Sequence, residues 1–246
     1  MTTSPPIRIA MVLAAGYGKR MRPLTDNLPK PMIPVLSTPM IDRVLDHLER
    51  AKVTTAVVNL HHLGEKLEAH LKDRKAPKIV FSPEKDLLET GGGVRHAIDK
   101  LGDKPFLVAN SDTVWLDGPT PALERLRHAW DGRRMDALLM LYPTIAVPGY
   151  EGSGDYFMDP DGRLTRRGEG EVAPFVFTGV QILHPKIFKD VAEGRFSLVR
   201  LYDEIQESGR LFGMRHDGEW YHVGTPELLA KVERVMTSGP AAREWL

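Results

Sequence analysis

The most constraining feature of this 246-residue chain is an apolar run followed at once by a loop of small residues, glycines and cations. The apolar run at residues 7–13 is typical of a buried strand. Two alanines and Gly16 then allow the backbone to turn sharply and to approach a ligand closely. Consecutive backbone N–H groups in such a turn form a concave anion site. The same loop contains four cations, namely Lys19, Arg20, Arg22 and Lys30. Together these features predict a polyphosphate site.

Neither of the two common phosphate-binding motifs accounts for this loop. The spacing G-x-x-x-x-G-K-[ST] is absent, and Met21 stands where a dinucleotide-binding G-x-G-x-x-G pattern has its third glycine. Prolines that exclude one continuous helix follow at positions 23, 29, 31 and 34. We therefore predict a long, extended loop that wraps around its ligand. A dinucleotide-binding oxidoreductase is disfavoured.

Apolar patterns of strands and helices alternate along the rest of the chain. Strands are predicted at 53–60, 78–82, 105–110 and 137–142. Because helical patterns lie between them, the alternation predicts an α/β fold with a mainly parallel sheet and right-handed crossovers. The composition changes after Pro143, where glycines cluster. We therefore divide a single domain, 1–246, into two halves and a tail, at 7–142, 143–236 and 237–246.

Two later motifs suggest ligand chemistry, and a third does not. Three glycines at 91–93 run into a helical pattern, and a helix N-terminus attracts anions. Asp112 follows a predicted strand, where α/β sheets bind ligands. Alone it could cap a turn, but the two upstream glycine segments favour a metal-binding role. His61 and His62 are adjacent, so their side chains point apart, and we predict a polar strand end there.

The composition excludes several classes of function. Lysine plus arginine equals aspartate plus glutamate, at 33 each, so bulk nucleic-acid binding is not expected. The chain contains no cysteine, which excludes disulfides and thiolate chemistry. The first residues, M-T-T-S-P-P-I-R, lack a signal-peptide pattern, and no apolar run approaches the roughly 20 residues of a spanning helix. We expect a cytoplasmic protein without a membrane or nucleic-acid partner, and its oligomeric state stays open.

Two motifs carry a resemblance to a known family. L-A-A-G-x-G-x-R-M-x-P-L-T at 13–25 and K-P-M-I-P-V at 30–35 resemble the signature of the sugar-phosphate nucleotidyltransferases. The resemblance extends from about residue 7 to residue 235. It implies the nucleotide-diphospho-sugar transferase fold, a Rossmann-like mainly parallel sheet with flanking helices and a smaller sugar-binding part. It also implies transfer of a nucleotidyl group from a nucleoside triphosphate to a sugar 1-phosphate, with Mg²⁺ as cofactor.

The resemblance also implies roles for particular residues of this chain. The catalytic residues would be Arg20, Lys30 and Asp112, of which Asp112 would also bind Mg²⁺. The nucleotide-binding residues would be Leu13, Ala14, Ala15, Gly16, Gly18, Lys19, Arg20, Glu84, Thr90 and Gly91. The sugar-binding residues would be Asn110, Asp155, Glu169, Thr178 and Gly179.

The chain departs from the family pattern at two places. In the segment that resembles W-x-D-x-G-T, His222 replaces the second metal-binding aspartate, and imidazole coordinates Mg²⁺ poorly. His222 is therefore a doubtful metal ligand. The E-K-P segment, whose lysine holds the sugar phosphate in many members, is missing near 169–174. Arg166 or Arg167 could substitute for that lysine.

Three stretches narrow the expected substrates. S-P-E-x-x-x-L-E-T-G-G-G, N-S-D-T-V-W and G-x-G-D-Y most resemble a family branch that joins UTP to N-acetylmuramate α-1-phosphate in peptidoglycan recycling. The lactyl carboxylate of that sugar needs a cation or N–H donors, for which Arg163, Arg166 and Arg167 are candidates. Branches that use GTP with mannose 1-phosphate or dTTP with glucose 1-phosphate are alternatives. A sugar-nucleotide sensor without turnover is another, motivated by His222.

Overall fold

The computed structural model describes residues 7–238, which contain one large mixed sheet and two short ribbons. The strands are β1 Ile9–Leu13, β2 Pro34–Val35, β3 Thr38–Pro39, β4 Thr55–Leu60, β5 Lys78–Pro83, β6 Phe106–Asn110, β7 Val114–Leu116, β8 Ala137–Pro143, β9 Tyr156–Met158, β10 Leu164–Arg166, β11 Phe175–Leu183, β12 Leu211–Arg215 and β13 Glu219–Tyr221. The helices are α1 Met40–Arg50, α2 Gly64–Leu71, α3 Glu89–His96, α4 Ile98–Leu101, α5 Ala122–Ala129, α6 Leu198–Glu207 and α7 Pro226–Ser238.

The centre of the sheet is parallel, as the sequence predicts. Strand β1 pairs in parallel with β4 on one side and β6 on the other, and β4 pairs in parallel with β5. In this register Leu13 lies beside Asn110 at the carboxyl end of the sheet. Since parallel strands end at the same edge, the loop after β1 and the residues after β6 are brought together there.

Strand β11 gives the sheet its mixed character. It runs antiparallel between β6 and β8, and β12 pairs in parallel with β8. The β11–β8 register shifts between Phe177 and Gln181, so Thr178 and Gly179 lie in an irregularity of the strand. The second half of the chain therefore contributes strands to the same sheet as the first. The predicted division at residue 143 falls within one continuous sheet.

Alternate side chains of the central strands pack on opposite faces of the sheet. In β1, Ala10 and Val12 face a core shared with α1, α2 and α5, whereas Met11 faces a core shared with α3, α4 and α6. This burial on both faces explains why the central strands are almost uninterrupted apolar runs. Within residues 7–238, no helix is long and apolar enough to cross a membrane.

The segment after β1 is more structured than the sequence suggests. It is not extended throughout, because short 3₁₀ turns form at Lys19–Met21 and Lys30–Met32. Met21 and Ile33 are buried in a third core, which also includes Tyr221 and residues of α7. A second difference concerns the glycines at 91–93, which lie inside α3 rather than before it. In both places, packing against other segments selects one of the several backbone conformations that proline and glycine allow.

Asp117, just after β7, supports a testable prediction about stability. One of its oxygens accepts a hydrogen bond from the Ala122 N–H at the start of α5, 2.9 Å away, and the other lies 3.4 Å from His47 Nδ1. Burial raises the pKa of Asp117, but the hydrogen bonds and the charge of His47 outweigh burial and lower the pKa to about 2. A lowered carboxyl pKa adds stability above the unfolded pKa of about 3.9, and this stability is lost as the pH falls through 2.

We expect Asp117→Asn to lower the free energy of unfolding by about 2 kcal/mol at pH 7 and by about half of that at pH 3. Urea unfolding of both proteins at the two pH values measures the difference. Asp103→Asn is the control, because Asp103 is exposed. An Asp117→Asn effect of equal size at both pH values would contradict this account.

Candidate active site

Two neighbouring cavities open at the carboxyl end of the parallel strands. The first has a volume of about 480 Å³ and the second about 310 Å³, which suits small-molecule ligands. The first is lined by the loop after β1, by the start of α3 and by Ser197. The second is lined by β11 and by the segment around His222. Four residues line both cavities, namely Arg20, Lys30, Asn110 and Asp112.

The structure brings most of the predicted nucleotide-binding residues into the first cavity. Its lining includes Leu13, Ala14, Ala15, Gly16, Gly18, Lys19, Arg20 and Thr90. The left-handed residue of the loop is Gly18, with φ of 61°, rather than Gly16. An added Cβ at Gly18 would lie 2.9 Å from the side chains of Lys30 and Thr25, so glycine is needed there for space as well as for conformation. The turn is thus made one glycine later than the sequence analysis placed it.

Lys30 and Asp112 form an ion pair in the wall between the cavities. The Lys30 side chain is only 14% exposed, and its backbone is held in the 3₁₀ turn after Pro29. Asp112 follows β6, and the neighbouring Ser111 donates its N–H and hydroxyl to the Leu13 carbonyl oxygen, at 3.0 and 2.7 Å. The pair therefore places one cation and one carboxylate where both cavities can use them.

The second cavity combines polar groups with an aromatic wall. Four of the five residues predicted to bind the sugar line it together, namely Asn110, Asp155, Thr178 and Gly179. Gly179 has a φ of 87°, and a Cβ there would lie 2.7 Å from Asn110 Nδ2. Burial raises the pKa of Asp155, while the Phe177 N–H, 2.8 Å away, and the charge of Arg167 act in the opposite direction. Asp155 is therefore a partly buried acceptor facing this cavity.

His222 lies in the same wall, with its ring near the rings of Tyr150 and Trp220, whose centroids are 6.5 and 6.0 Å away. Burial lowers the pKa of His222, and the cations Lys30 and Arg20 lower it further, against the charges of Asp112 and Asp155. The imidazole is thus held neutral at neutral pH. It can donate one hydrogen bond to a ligand and accept another from it.

Three predicted site residues are not part of the described lining of either cavity. Glu84 is buried, and its carboxylate accepts hydrogen bonds from Asn59 Nδ2 at 2.7 Å and from the Leu88 N–H at 3.0 Å. Gly91 donates its N–H to the Phe196 carbonyl oxygen and has no room for a side chain beside the Phe196 ring. Glu169 is exposed in the turn before β11. The structure does not bring these three residues to the ligand space.

The arginines suggested for the sugar phosphate or for a substrate carboxylate also lie elsewhere. Arg163 pairs with Asp159 and Asp161, and Arg166 with Asp203. Arg167 donates to the Gly154 carbonyl oxygen at 2.8 Å. None of the three arginines is part of the described lining of either cavity. Arg167 instead contacts the backbone next to Asp155, and its charge opposes the effect of burial on the pKa of Asp155.

Several lining residues were not singled out by the sequence analysis. In the first cavity these include Asn59, Leu87, Glu89 and Ser197, and in the second Tyr150, Val176, Phe177 and Trp220. Asn59 is a polar residue inside an apolar strand, which is a usable sequence signal. Ser197 and Tyr150 have none, because only long-range packing brings the segments before α6 and after β8 to the cavities.

The carboxylates near the cavities suit a hard divalent cation that is held by few protein ligands rather than one enclosed by protein ligands alone. No cluster of three or more histidine, aspartate or glutamate side chains suited to a metal occurs in residues 7–238. Asp112 is the carboxylate that lines both cavities there. Mg²⁺ commonly binds one or two carboxylates and completes its shell with water and substrate phosphates. Asp112 therefore fits such an ion.

Comparison with known proteins gives a consistent result. Residues 9–152 match the family described as nucleotidyl transferase. The chain is 44% identical over 225 residues to the N-acetylmuramate alpha-1-phosphate uridylyltransferase of Caulobacter vibrioides, covering 89% of this chain and 93% of that protein. It is 35% identical to the protein of the same name from Neisseria meningitidis, covering 88% and 93%. A crystal structure of UDP-glucose pyrophosphorylase with UDP-glucose superposes with a TM-score of 0.76 at 18% identity, covering 93% of this chain and 98% of that one.

Proposed function

The chain belongs to the nucleotidyl transferase family, and from this premise we propose that it joins UTP to N-acetylmuramate α-1-phosphate and releases pyrophosphate. One observation supports the reaction class above all. Two cavities of suitable size share a wall that contains Arg20, Lys30 and Asp112. Such a wall suits a reaction in which two anions must be brought together. The choice of sugar and base rests on two relatives that are named for this activity. Each aligns with this chain over 93% of its own length.

In this proposal the first cavity holds the nucleoside triphosphate. The N–H groups of the loop after β1 and the Arg20 guanidinium bind its phosphates, and the end near Thr90 and Ser197 receives the ribose and base. The second cavity holds the sugar. Asp155 accepts from a sugar hydroxyl or amide group, and the aromatic wall packs against the ring.

The chemical step is an in-line displacement at the α-phosphorus. An oxygen of the sugar phosphate forms the new P–O bond, and the bond to the β-phosphate oxygen breaks, with the electron pair leaving on pyrophosphate. The attacking oxygen is already ionised, so no general base is needed. The protein lowers the barrier by holding the two anions in line and by neutralising their charge, for which Lys30 lies between the cavities.

Asp112 would hold Mg²⁺, which supplies further positive charge to the reacting phosphates. His222 is poorly suited as a second Mg²⁺ ligand, because a neutral imidazole prefers transition metals. We therefore assign His222 to the substrate, as a hydrogen-bonding group in the wall of the second cavity. The lactyl carboxylate of the sugar would be bound by N–H donors and by the cations of the shared wall, since the three candidate arginines lie elsewhere.

Pyrophosphate release by purified protein with Mg²⁺ tests the proposal. We would cross UTP, dTTP, GTP and CTP with the 1-phosphates of N-acetylmuramate, N-acetylglucosamine, glucose and mannose. The expected result is strong turnover with UTP and N-acetylmuramate α-1-phosphate only. Turnover with another pair would keep the mechanism and overturn the substrate assignment. Tight binding of a sugar nucleotide without any turnover would favour the sensor instead.

A further inference from the structure

Tyr17, the residue between Gly16 and Gly18, connects the phosphate loop to the end of β4. We define the phosphate loop as residues 14–18. The Tyr17 hydroxyl lies 3.2 Å from His61 Nε2, and the two rings meet edge to face at 5.5 Å. The ring of His62 lies 5.3 Å from that of Tyr17. The Tyr17 side chain does not line the described first cavity, so its contacts act on the loop rather than directly on a ligand.

The other nitrogen of His61 determines the direction of this hydrogen bond. His61 Nδ1 lies 3.1 Å from the main-chain oxygen of Glu84. A carbonyl oxygen only accepts, so we assign the tautomer in which Nδ1 bears the hydrogen. Nε2 is then an acceptor, and the Tyr17 hydroxyl donates to it. The chain of bonds runs from Tyr17 through His61 to Glu84.

A second chain of bonds reaches the same residue from the start of the loop. The Ala14 N–H donates to Asn59 Oδ1 at 2.7 Å, and Asn59 Nδ2 donates to Glu84 Oε1 at 2.7 Å. Glu84 Oε2 accepts from the Leu88 N–H just before α3. Glu84 thus joins the phosphate loop to the segment that lines the base end of the cavity. This explains why it is buried behind the cavity.

The two chains of bonds anchor the loop at residues 14 and 17, and they differ in strength. The bonds of Asn59 and Glu84 are buried, whereas Tyr17 is 41% exposed and holds the loop through one side-chain bond. The inner anchor fixes residue 14, and the outer one fixes residue 17, next to the left-handed Gly18. Without the outer bond, the N–H groups around Gly16 would have to be ordered when the ligand binds, and that ordering weakens binding.

We propose that Tyr17 and His61 form a latch that holds the phosphate loop in its anion-binding conformation, which makes them positioning residues for the β- and γ-phosphates of the nucleotide. The inference rests on the proposed function, because it assigns a triphosphate to this loop. The latch should matter for ligands that have those two phosphates. It should not matter for a nucleoside monophosphate, which lacks them.

Three variants and a neighbouring control test the latch. Tyr17→Phe removes only the hydroxyl. His61→Asn keeps a donor at the position of Nδ1 for Glu84 but has no atom that reaches Tyr17. The third variant combines both changes. His62→Ala is the control, because His62 is adjacent and contacts the same ring without the hydrogen bond.

Calorimetric titration with UTP and with UMP, in Mg²⁺, gives the first readout. We expect each single change to raise the Kd for UTP about three- to tenfold, the usual effect of one hydrogen bond, and to leave the Kd for UMP within about twofold. The double variant should bind UTP no more weakly than either single variant, because all three lack the same bond. Additive effects, an unchanged Kd for UTP, or equal weakening of UMP binding would overturn the latch.

Tryptic cleavage after Lys19 and Arg20 in the free protein is a second readout that needs no nucleotide. Faster cleavage in Tyr17→Phe and His61→Asn, but not in His62→Ala, supports the latch, and equal rates in all four proteins overturn it. If the unsubstituted protein binds neither UTP nor UMP, the proposed function has failed. The cleavage rates then still decide whether Tyr17 and His61 hold the loop.

Discussion

Replacement of Lys30 by methionine is expected to lower kcat about 10²–10³-fold, as measured by pyrophosphate release with both substrates saturating. Lys30 is mostly buried in the wall between the two cavities and pairs with Asp112. Methionine keeps much of the length and apolar volume of lysine but removes the charge. The Asp112 carboxylate then lacks its cation beside two anionic substrates, so repulsion is added to the lost attraction.

The matched control for this change is Lys104→Met, in an exposed position at the opposite end of β6. Its kcat should stay within about twofold of the unsubstituted protein, as is usual for an exposed side chain away from a site. Urea unfolding of both variants separates lost chemistry from lost folding. A Lys30→Met protein that is folded and retains more than a tenth of the activity would show that charge between the cavities is not needed.

Replacement of Asp112 by asparagine is expected to reduce kcat by a similar factor, on the order of 10²–10³, for a different reason. Asparagine preserves the shape of the side chain but removes the charge that a hard cation requires. If Asp112 holds Mg²⁺ as proposed, the Mg²⁺ concentration for half-maximal activity should also rise at least about tenfold. A Mg²⁺ titration of pyrophosphate release measures both effects.

The Mg²⁺ dependence separates two roles for Asp112. A lower kcat with an unchanged Mg²⁺ dependence would mean that Asp112 acts by holding Lys30 in place rather than by binding the metal. Asp103→Asn serves as the control, since Asp103 is exposed in the loop before β6. Neither its kcat nor its Mg²⁺ dependence should change by more than about twofold.

Local patterns in the sequence were enough to predict the fold class and the first cavity. The apolar run of β1, the small residues after it and the cation at position 20 are adjacent in the chain, so their proximity is a matter of covalent geometry. The same holds for Asp112 at the end of β6. Because parallel strands end at one edge of a sheet, two such strand ends must lie close together once the α/β alternation is recognised. The roles assigned to these residues stay predictions.

Local patterns could not show which residues face the ligand space. Glu84 directly follows β5, and its buried carboxylate accepts a hydrogen bond from Asn59, which lies 25 positions earlier in the chain. Glu169 has the composition of a ligand group but is exposed in a turn. Ser197 lines the first cavity only because its segment packs against α3. Side-chain direction depends on packing partners, which spacing along the chain does not encode.

The sequence by itself determined the alternation of strands and helices, the phosphate loop and the carboxylate at the end of β6, because each depends on neighbours within a few residues. The tertiary structure decided that β11 enters the sheet antiparallel, that Lys30 meets Asp112 across 82 positions, and that Gly18 takes the left-handed turn. The first two features arise from contacts between distant segments, and the third from the close packing of Gly18 against Thr25 and Lys30. Such contacts form only when the folded chain brings these residues together, and spacing along the sequence does not specify them.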